Sequence, residues 1–196
     1  SRGNRSKEVI SFLIDFLDKD FYAPLAHRAL VNTGETGLEL LVLAFNQTNA
    51  SVTFKTRVVR IIPDTGSVIA SSVLFSMLSV NSNLKSVVLD SLLRLNFIAD
   101  DHDSVALHQM IIEQTGVCAW NLNMLYHCPN ENIAPGLKYE LEHNFSLSRN
   151  NLFQLLKLLY DKSSIDAVIE NLEAGTGQSI SFAIELLDTF VVEDLK

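Results

Sequence analysis

The sequence is poor in the residues that break helices, cross-link chains or carry charge. Of 196 residues, four are proline and eight are glycine, so few positions force the backbone out of a helix. There are two cysteines, Cys118 and Cys128, and no C-x-x-C spacing. Ten residues along one helix place them about 15 Å apart, beyond disulfide reach. A disulfide-stapled scaffold is excluded, and the pattern suits a reducing compartment. No apolar run is long enough to span a bilayer. The two most apolar stretches, 38–45 and 68–80, are too short, and serines interrupt the second. No signal peptide opens the chain, which starts at Ser1 without a methionine. It is therefore expected to be one domain of a larger polypeptide. Sequons at Asn4, Asn46, Asn49 and Asn144 are what chance provides in a chain rich in Asn, Ser and Thr.

What is abundant is apolar surface. Hydrophobic residues make up 47% of the chain and charged residues 19%, which excludes a disordered polymer. The net charge of −8 is unevenly spread. Residues 1–96 carry ten Lys and Arg against eight Asp and Glu, and residues 97–196 carry five against fifteen. An acidic second half repels phosphate backbones, so nucleic acid is not expected as a partner of the whole chain.

Apolar residues recur at helical spacing almost throughout. Val9, Ile10, Leu13, Phe16 and Leu17 form a first stripe, and Leu25, Ala26, Ala29 and Leu30 a second. The second is closed by Asn32-Thr33-Gly34, where the glycine is the expected helix stop. A second pair follows over Leu38–Phe45 and Phe54–Ile62, closed by Pro63-Asp64-Thr65-Gly66. A third follows over Ile69–Leu78 and Leu84–Leu95. The two glycine turns lie 32 residues apart. Arg28 and Arg60 share that offset, as do Leu30 and Ile62, and Arg94 comes 34 residues after Arg60. A drifting period of two helices per unit points to pairs that cover their apolar faces by stacking.

The run Ala26-His27-Arg28-Ala29-Leu30-Val31-Asn32-Thr33-Gly34, continued by Gly37-Leu38-Glu39-Leu40-Leu41, resembles a HEAT repeat of the short bacterial, phycobilin-lyase-like type. The resemblance covers residues 7–96 and departs from the pattern at Ile61-Ile62-Pro63. It implies an α-solenoid of antiparallel helix pairs, a HEAT/ARM-like superhelix.

The second half changes style. A helix is expected from about Ser104 to His127, with the stripe Leu107, Ile111, Cys118, Leu122, Leu125. Another is expected from Pro135 to Asp161, with Leu137, Leu141, Phe145, Ser148, Leu152, Leu155, Leu159 facing inward. Two such helices joined by a short loop form an antiparallel hairpin. A final pair runs from Ser163 through Gly175-Thr176-Gly177 to Leu187. Leu155-Leu156-Lys157-Leu158-Leu159-Tyr160-Asp161 and Ala183-Ile184-Glu185-Leu186-Leu187-Asp188 make this half similar to the soluble HEAT regions of bacterial nucleotide-transporter-like membrane proteins. That resemblance implies a cytoplasmic, membrane-proximal regulatory domain.

No chemistry declares itself. There is no G-x-G-x-x-G and no phosphate-binding G-x-x-x-x-G-K-S/T run. His102 among Asp100, Asp101 and Asp103 is expected to be a solvated helix cap rather than a metal site. His127 beside Cys128 lacks two further zinc ligands. His108 with Glu113 or Asp101 has no nucleophile in a recognisable elbow. Trp120 and Tyr126 are expected to pack on Phe145 and Phe153. The basic residues of the first half gather in the second helix of each pair: Arg28; Lys55, Arg57 and Arg60; Lys85 and Arg94. They form either a basic concave strip for an acidic partner segment or lipid headgroups, or a ladder of Arg–Asp contacts between repeats, with Asp90 as one acceptor.

The expectation is an all-α chain: three HEAT-like pairs over 7–96, then a long hairpin and a final pair over 100–196, continuous as one solenoid. It is expected to bind a protein partner or another domain of its own polypeptide, with no catalysis, cofactor or metal. Other readings are a regulatory domain of a membrane transporter, a lyase-accessory protein and a DNA-glycosylase-like HEAT protein.

Overall fold

The computed structural model describes residues 2–47, 49–79, 82–127 and 135–191, with side chains for all of these except 2–5, 82, 135 and 190. Every regular element among them is helical. The α-helices are α1 (Arg2–Asp15), α2 (Ala23–Leu30), α3 (Gly34–Phe45), α4 (Val52–Ile61), α5 (Ala70–Leu78), α6 (Lys85–Arg94), α7 (Asp101–His127), α8 (Pro135–Leu159), α9 (Lys162–Ala174) and α10 (Gly177–Phe190). They divide into two compact units, Ser1–Phe97 and Ile98–Lys196. Among the described residues no helix is long and apolar enough to cross a membrane.

In the first unit α1 packs on α2 and α3, α4 lies between α2 and α6, and α5 pairs with α6. The core is aliphatic: Leu30, Leu41, Val58, Val59, Ile61, Ile62, Leu74, Val88, Leu89 and Leu92 are fully buried. Each such side chain stabilises the fold by about 1.5–3 kcal/mol relative to exposure. Local chemistry sets the helix boundaries. Ser51 caps α4 by accepting the Phe54 N–H at 3.0 Å. Pro63 cannot donate a backbone N–H, and the chain tightens into a 3-10 turn, Ile62–Thr65, that ends at Gly66 in the left-handed region (φ 74°). The expected glycine stop at Gly34 needs correction. The left-handed residue that ends α2 is Asn32 (φ 58°), and Gly34 (φ 66°) already opens α3. The buried stripes are also rotated from expectation. Ile10, Ile14 and Leu17 face the core while Val9 is exposed, and Ala23, Ala26 and Leu30 are buried while Leu25 and Ala29 are exposed.

The second unit is dominated by the pairing of α7 with α8. Their seam is partly polar. Leu107, Ile111, Leu141, Leu155 and Leu158 are buried, but so are Gln114, Asn121, Ser148, Asn151 and Gln154. Gln114 Nε2 donates to the Ser148 carbonyl at 3.2 Å, and Ser148 Oγ donates to the Phe145 carbonyl at 2.9 Å. The expected inward positions Leu122 and Leu137 are exposed instead, as are Trp120 and Tyr126, so the expected packing of these aromatics on Phe145 and Phe153 is not what the fold does. Helix α9 is capped by Asp161, and α10 by a Thr176–Ser179 capping box. Cys128 and Pro129-Asn130, expected to end α7, lie outside the described residues.

Candidate functional site

The first unit repeats one turn. Thr33 Oγ1 donates to the Leu30 carbonyl at 2.8 Å, and Thr65 Oγ1 donates to the Ile62 carbonyl at 2.8 Å. The two turns touch: the Asn32 backbone N–H donates to the Asp64 carbonyl at 2.8 Å. Close by, Ser91 Oγ in α6 donates to the Val59 carbonyl of α4 at 3.3 Å. Each of these bonds satisfies a carbonyl or N–H that a helix end or turn would otherwise leave without a partner, or bridges adjacent helices with a small side chain.

Asp64 collects charge at this point. Arg94 Nη2 donates to its Oδ1 at 2.7 Å, His27 Nε2 lies 2.9 Å from its Oδ2, and Arg94 Nη1 donates to the Arg60 carbonyl at 3.2 Å. Arg57 makes the corresponding reach one unit earlier. Its Nη1 donates to the Leu17 carbonyl at 2.6 Å, and its Nη2 pairs with Asp20. Both arginines thus leave α4 and α6 to tie down the turns beside α2 and α4. Asp20 and Asp64 accept these two arginines, and their places within turns were the available signal.

The remaining basic residues divide. Lys55 is half-buried, its Nζ 5.3 Å from the centroid of the Phe45 ring. Lys85 is half-buried at the start of α6. Arg28 and Arg60 are exposed, and the side chain of neither forms an ion pair or hydrogen bond with any described residue. Arg60 and Arg94 border a concavity of about 350 Å³ whose wall also includes Val87, Asp90 and Ser91. Arg57 and Arg94 are thus bonded to turns of the chain, with Arg94 still exposed beside Arg60, while the side chains of Arg28 and Arg60 project without such bonds to described residues. Leu38, Glu39, Val42 and Leu43 of α3, with Ile69 and Val73 at and within the start of α5, line a mostly apolar groove of about 380 Å³.

The candidate chemical groups of the second unit resolve into helix caps and isolated side chains. The ligand atoms of Asp100, His102 and Asp103 lie within 4.8 Å of one another, but Asp100 Oδ1 accepts the Asp103 N–H at 2.7 Å, which makes it the cap of α7. His108 Nε2 is buried with no hydrogen-bond partner among the described residues, while Glu113 accepts from Gln109 Nε2 at 3.1 Å. Asp161 accepts from Ser163 Oγ at 2.6 Å and from the N–H and hydroxyl of Ser164 at 2.8 and 2.9 Å, and these bonds hold its carboxyl below the ordinary carboxylate value. All three belong to the end of α8 and the start of α9, where a cap is needed. Set against known proteins, the chain matches no protein-family model, no curated protein and no solved structure.

Proposed function

We propose that residues 7–96 form three HEAT-like helix pairs, the start of an α-solenoid, and that the chain is a non-catalytic interaction module serving a larger polypeptide. The observation that carries this reading is the turn that recurs after 32 residues, with the same threonine bond at Thr33 and Thr65 and a backbone bond from one turn to the next. A repeat whose turns contact each other in register is how stacked helix pairs transmit one geometry to the next. Arg57 and Arg94 then serve the stack. Arg28 and Arg60, exposed 32 residues apart, are the contacts offered to an acidic segment of a protein partner, with Lys55 and Lys85 at their flank.

The test is capture from a lysate of the source cell with the wild-type chain and with Arg28→Glu/Arg60→Glu as baits. A partner retained by the first and lost by the second supports the reading. Partners retained equally by both remove the basic strip as a contact surface. Retention of labelled duplex DNA at low salt would favour the glycosylase-like alternative instead.

A further inference from the structure

The α7–α8 hairpin has a mixed seam and an exposed face with large apolar residues. The seam holds Gln114, Asn121, Ser148 and Asn151 beside its leucines, whereas the opposite side of α7 exposes five large apolar side chains among Gln109, Thr115 and Asn123. Val105 is 70% exposed, Ile112 49%, Trp120 59%, Leu122 55% and Tyr126 85%. At about 100° per residue these five fall within roughly 160° of the helix circumference. Between Ser104 and Tyr126 that arc contains no Asp, Glu, Lys or Arg. A cluster of exposed large apolar side chains on one helix face marks an interaction surface, and α8 covers the other face.

Part of the exposed arc is spaced symmetrically in sequence about one residue. Gly116 stands at its centre, with Ile112 four residues before and Trp120 four after. Gln109 stands seven before and Asn123 seven after, and Val105 lies eleven before with Tyr126 ten after. Val105 and Tyr126 therefore sit about 16 and 15 Å from Gly116 along the axis. In an antiparallel crossing of two copies about a two-fold axis, residue i meets j while j meets i. Here Ile112 would meet Trp120, Gln109 would meet Asn123, and Val105 would meet Tyr126, each pair formed twice. Gly116 would meet Gly116.

Glycine in a helix interior is unfavourable, and no described residue requires it here, because a Cβ at Gly116 would have none of their atoms within 4 Å beyond its own helix backbone. A second helix crossing at close range gives the residue a use. Taking about 200 Å² for a fully exposed large side chain, the five apolar residues offer roughly 600 Å² per copy. Two copies would bury at most about 1,200 Å² from these residues, at the lower end of the range of specific interfaces. An anionic lipid surface fits less well, since the charged residues of α7 are Asp101, Asp103 and Glu113 and such surfaces call for a cationic rim.

We propose that the exposed face of α7 is a homodimer interface, with two copies crossing antiparallel at Gly116. Trp120 is the chain's single tryptophan, so it reports on this face alone. The experiment is sedimentation of the full chain across the micromolar range, with Trp120 emission followed in parallel. The expected mass is about twice 21.8 kDa at the upper end, with emission shifting to the blue as the dimer fills. Gly116→Glu places its Cβ in open space within the chain, so helical circular dichroism should be unchanged while the mass falls to 21.8 kDa. Ile112→Glu should do the same. A wild-type chain that stays monomeric overturns the proposal, as does a dimer that Gly116→Glu leaves intact. A monomer whose Trp120 resists acrylamide quenching would overturn it in favour of another part of this chain. A monomer whose emission moves only on adding phosphatidylcholine vesicles would overturn it in favour of a lipid surface.

Discussion

Asn32 donates its backbone N–H to the carbonyl of Asp64 at 2.8 Å, joining two turns that carry the same threonine bond. The side chain of Asp64 extends this link, because it accepts Arg94 at 2.7 Å and lies 2.9 Å from His27 Nε2. One carboxylate thus connects α2 and α6 through the turn that follows α4.

Asp64→Ala should therefore cost more than the loss of one surface ion pair. All three side chains are partly exposed, so the pairs are screened and each contributes no more than about 1 kcal/mol. Shared through one acceptor they should couple. In a double-mutant cycle with Arg94→Ala, urea unfolding should give an interaction energy of about 0.5 kcal/mol or more. Strictly additive effects would show that Arg94 and Asp64 are independent surface groups.

Gly37 lies in the first turn of α3, and a Cβ there would fall 1.8 Å from Thr33 Oγ1 and 2.5 Å from Thr33 Cβ. Alanine is normally better than glycine in a helix by about 1 kcal/mol. At this position the overlap should win, and Gly37→Ala is expected to destabilise the chain by roughly 1–3 kcal/mol, as overpacking does. Thr33→Gly in the same background should recover part of the loss. A Gly37→Ala chain with an unchanged or higher urea midpoint would show that Thr33 moves aside freely.

The helices themselves were legible in the sequence because apolar residues at three- and four-residue steps over ten or more positions leave little alternative. Which face each helix buries was less so. In α7 apolar residues surround the whole circumference, so periodicity alone could not choose between the stripe through Leu122 and the one through Gln114 and Asn121. The choice is made by α8, whose Ser148 backbone and hydroxyl offer partners to those amides. Similarly, Asn32 and Gly34 both have positive φ, and only the three-dimensional turn distinguishes the residue that ends α2 from the one that begins α3. The basic residues were visible as a group. Their division between Arg57 and Arg94, bonded to turns, and Arg28 and Arg60, whose side chains make no such bond to described residues, depends on where Asp20 and Asp64 come to lie.

Asn151 supplies a test of the polar seam. The residue is buried, and its Oδ1 accepts no hydrogen bond from any described residue. A buried acceptor without a partner costs about 1–3 kcal/mol. Asn151→Leu, which keeps the branched shape and removes the polar atoms, should therefore raise the unfolding free energy by about 1 kcal/mol. A loss of stability would mean that the amide makes a bond that the apolar residue cannot replace, as a bound water would.

The cap of α9 should be sensitive to acid. The Ser163 hydroxyl, then the Ser164 N–H and hydroxyl, stabilise the ionised carboxylate of Asp161 and lower its pKa from 3.8. A group whose pKa is depressed on folding contributes stability that is fully present above its unfolded value. That contribution is lost as the pH falls through the lower, folded value. Asp161 should thus titrate below 3.8 when its carboxyl carbon is followed by NMR. The urea midpoint of the wild-type chain should fall more steeply below about pH 4 than that of Asp161→Asn, which keeps an oxygen acceptor but does not ionise. Ser163→Ala removes the largest contribution to the shift and should move the Asp161 titration back toward 3.8. An Asp161 that titrates at or above that value in the wild-type chain would rule out the serine cap as the source of acid sensitivity at this helix end.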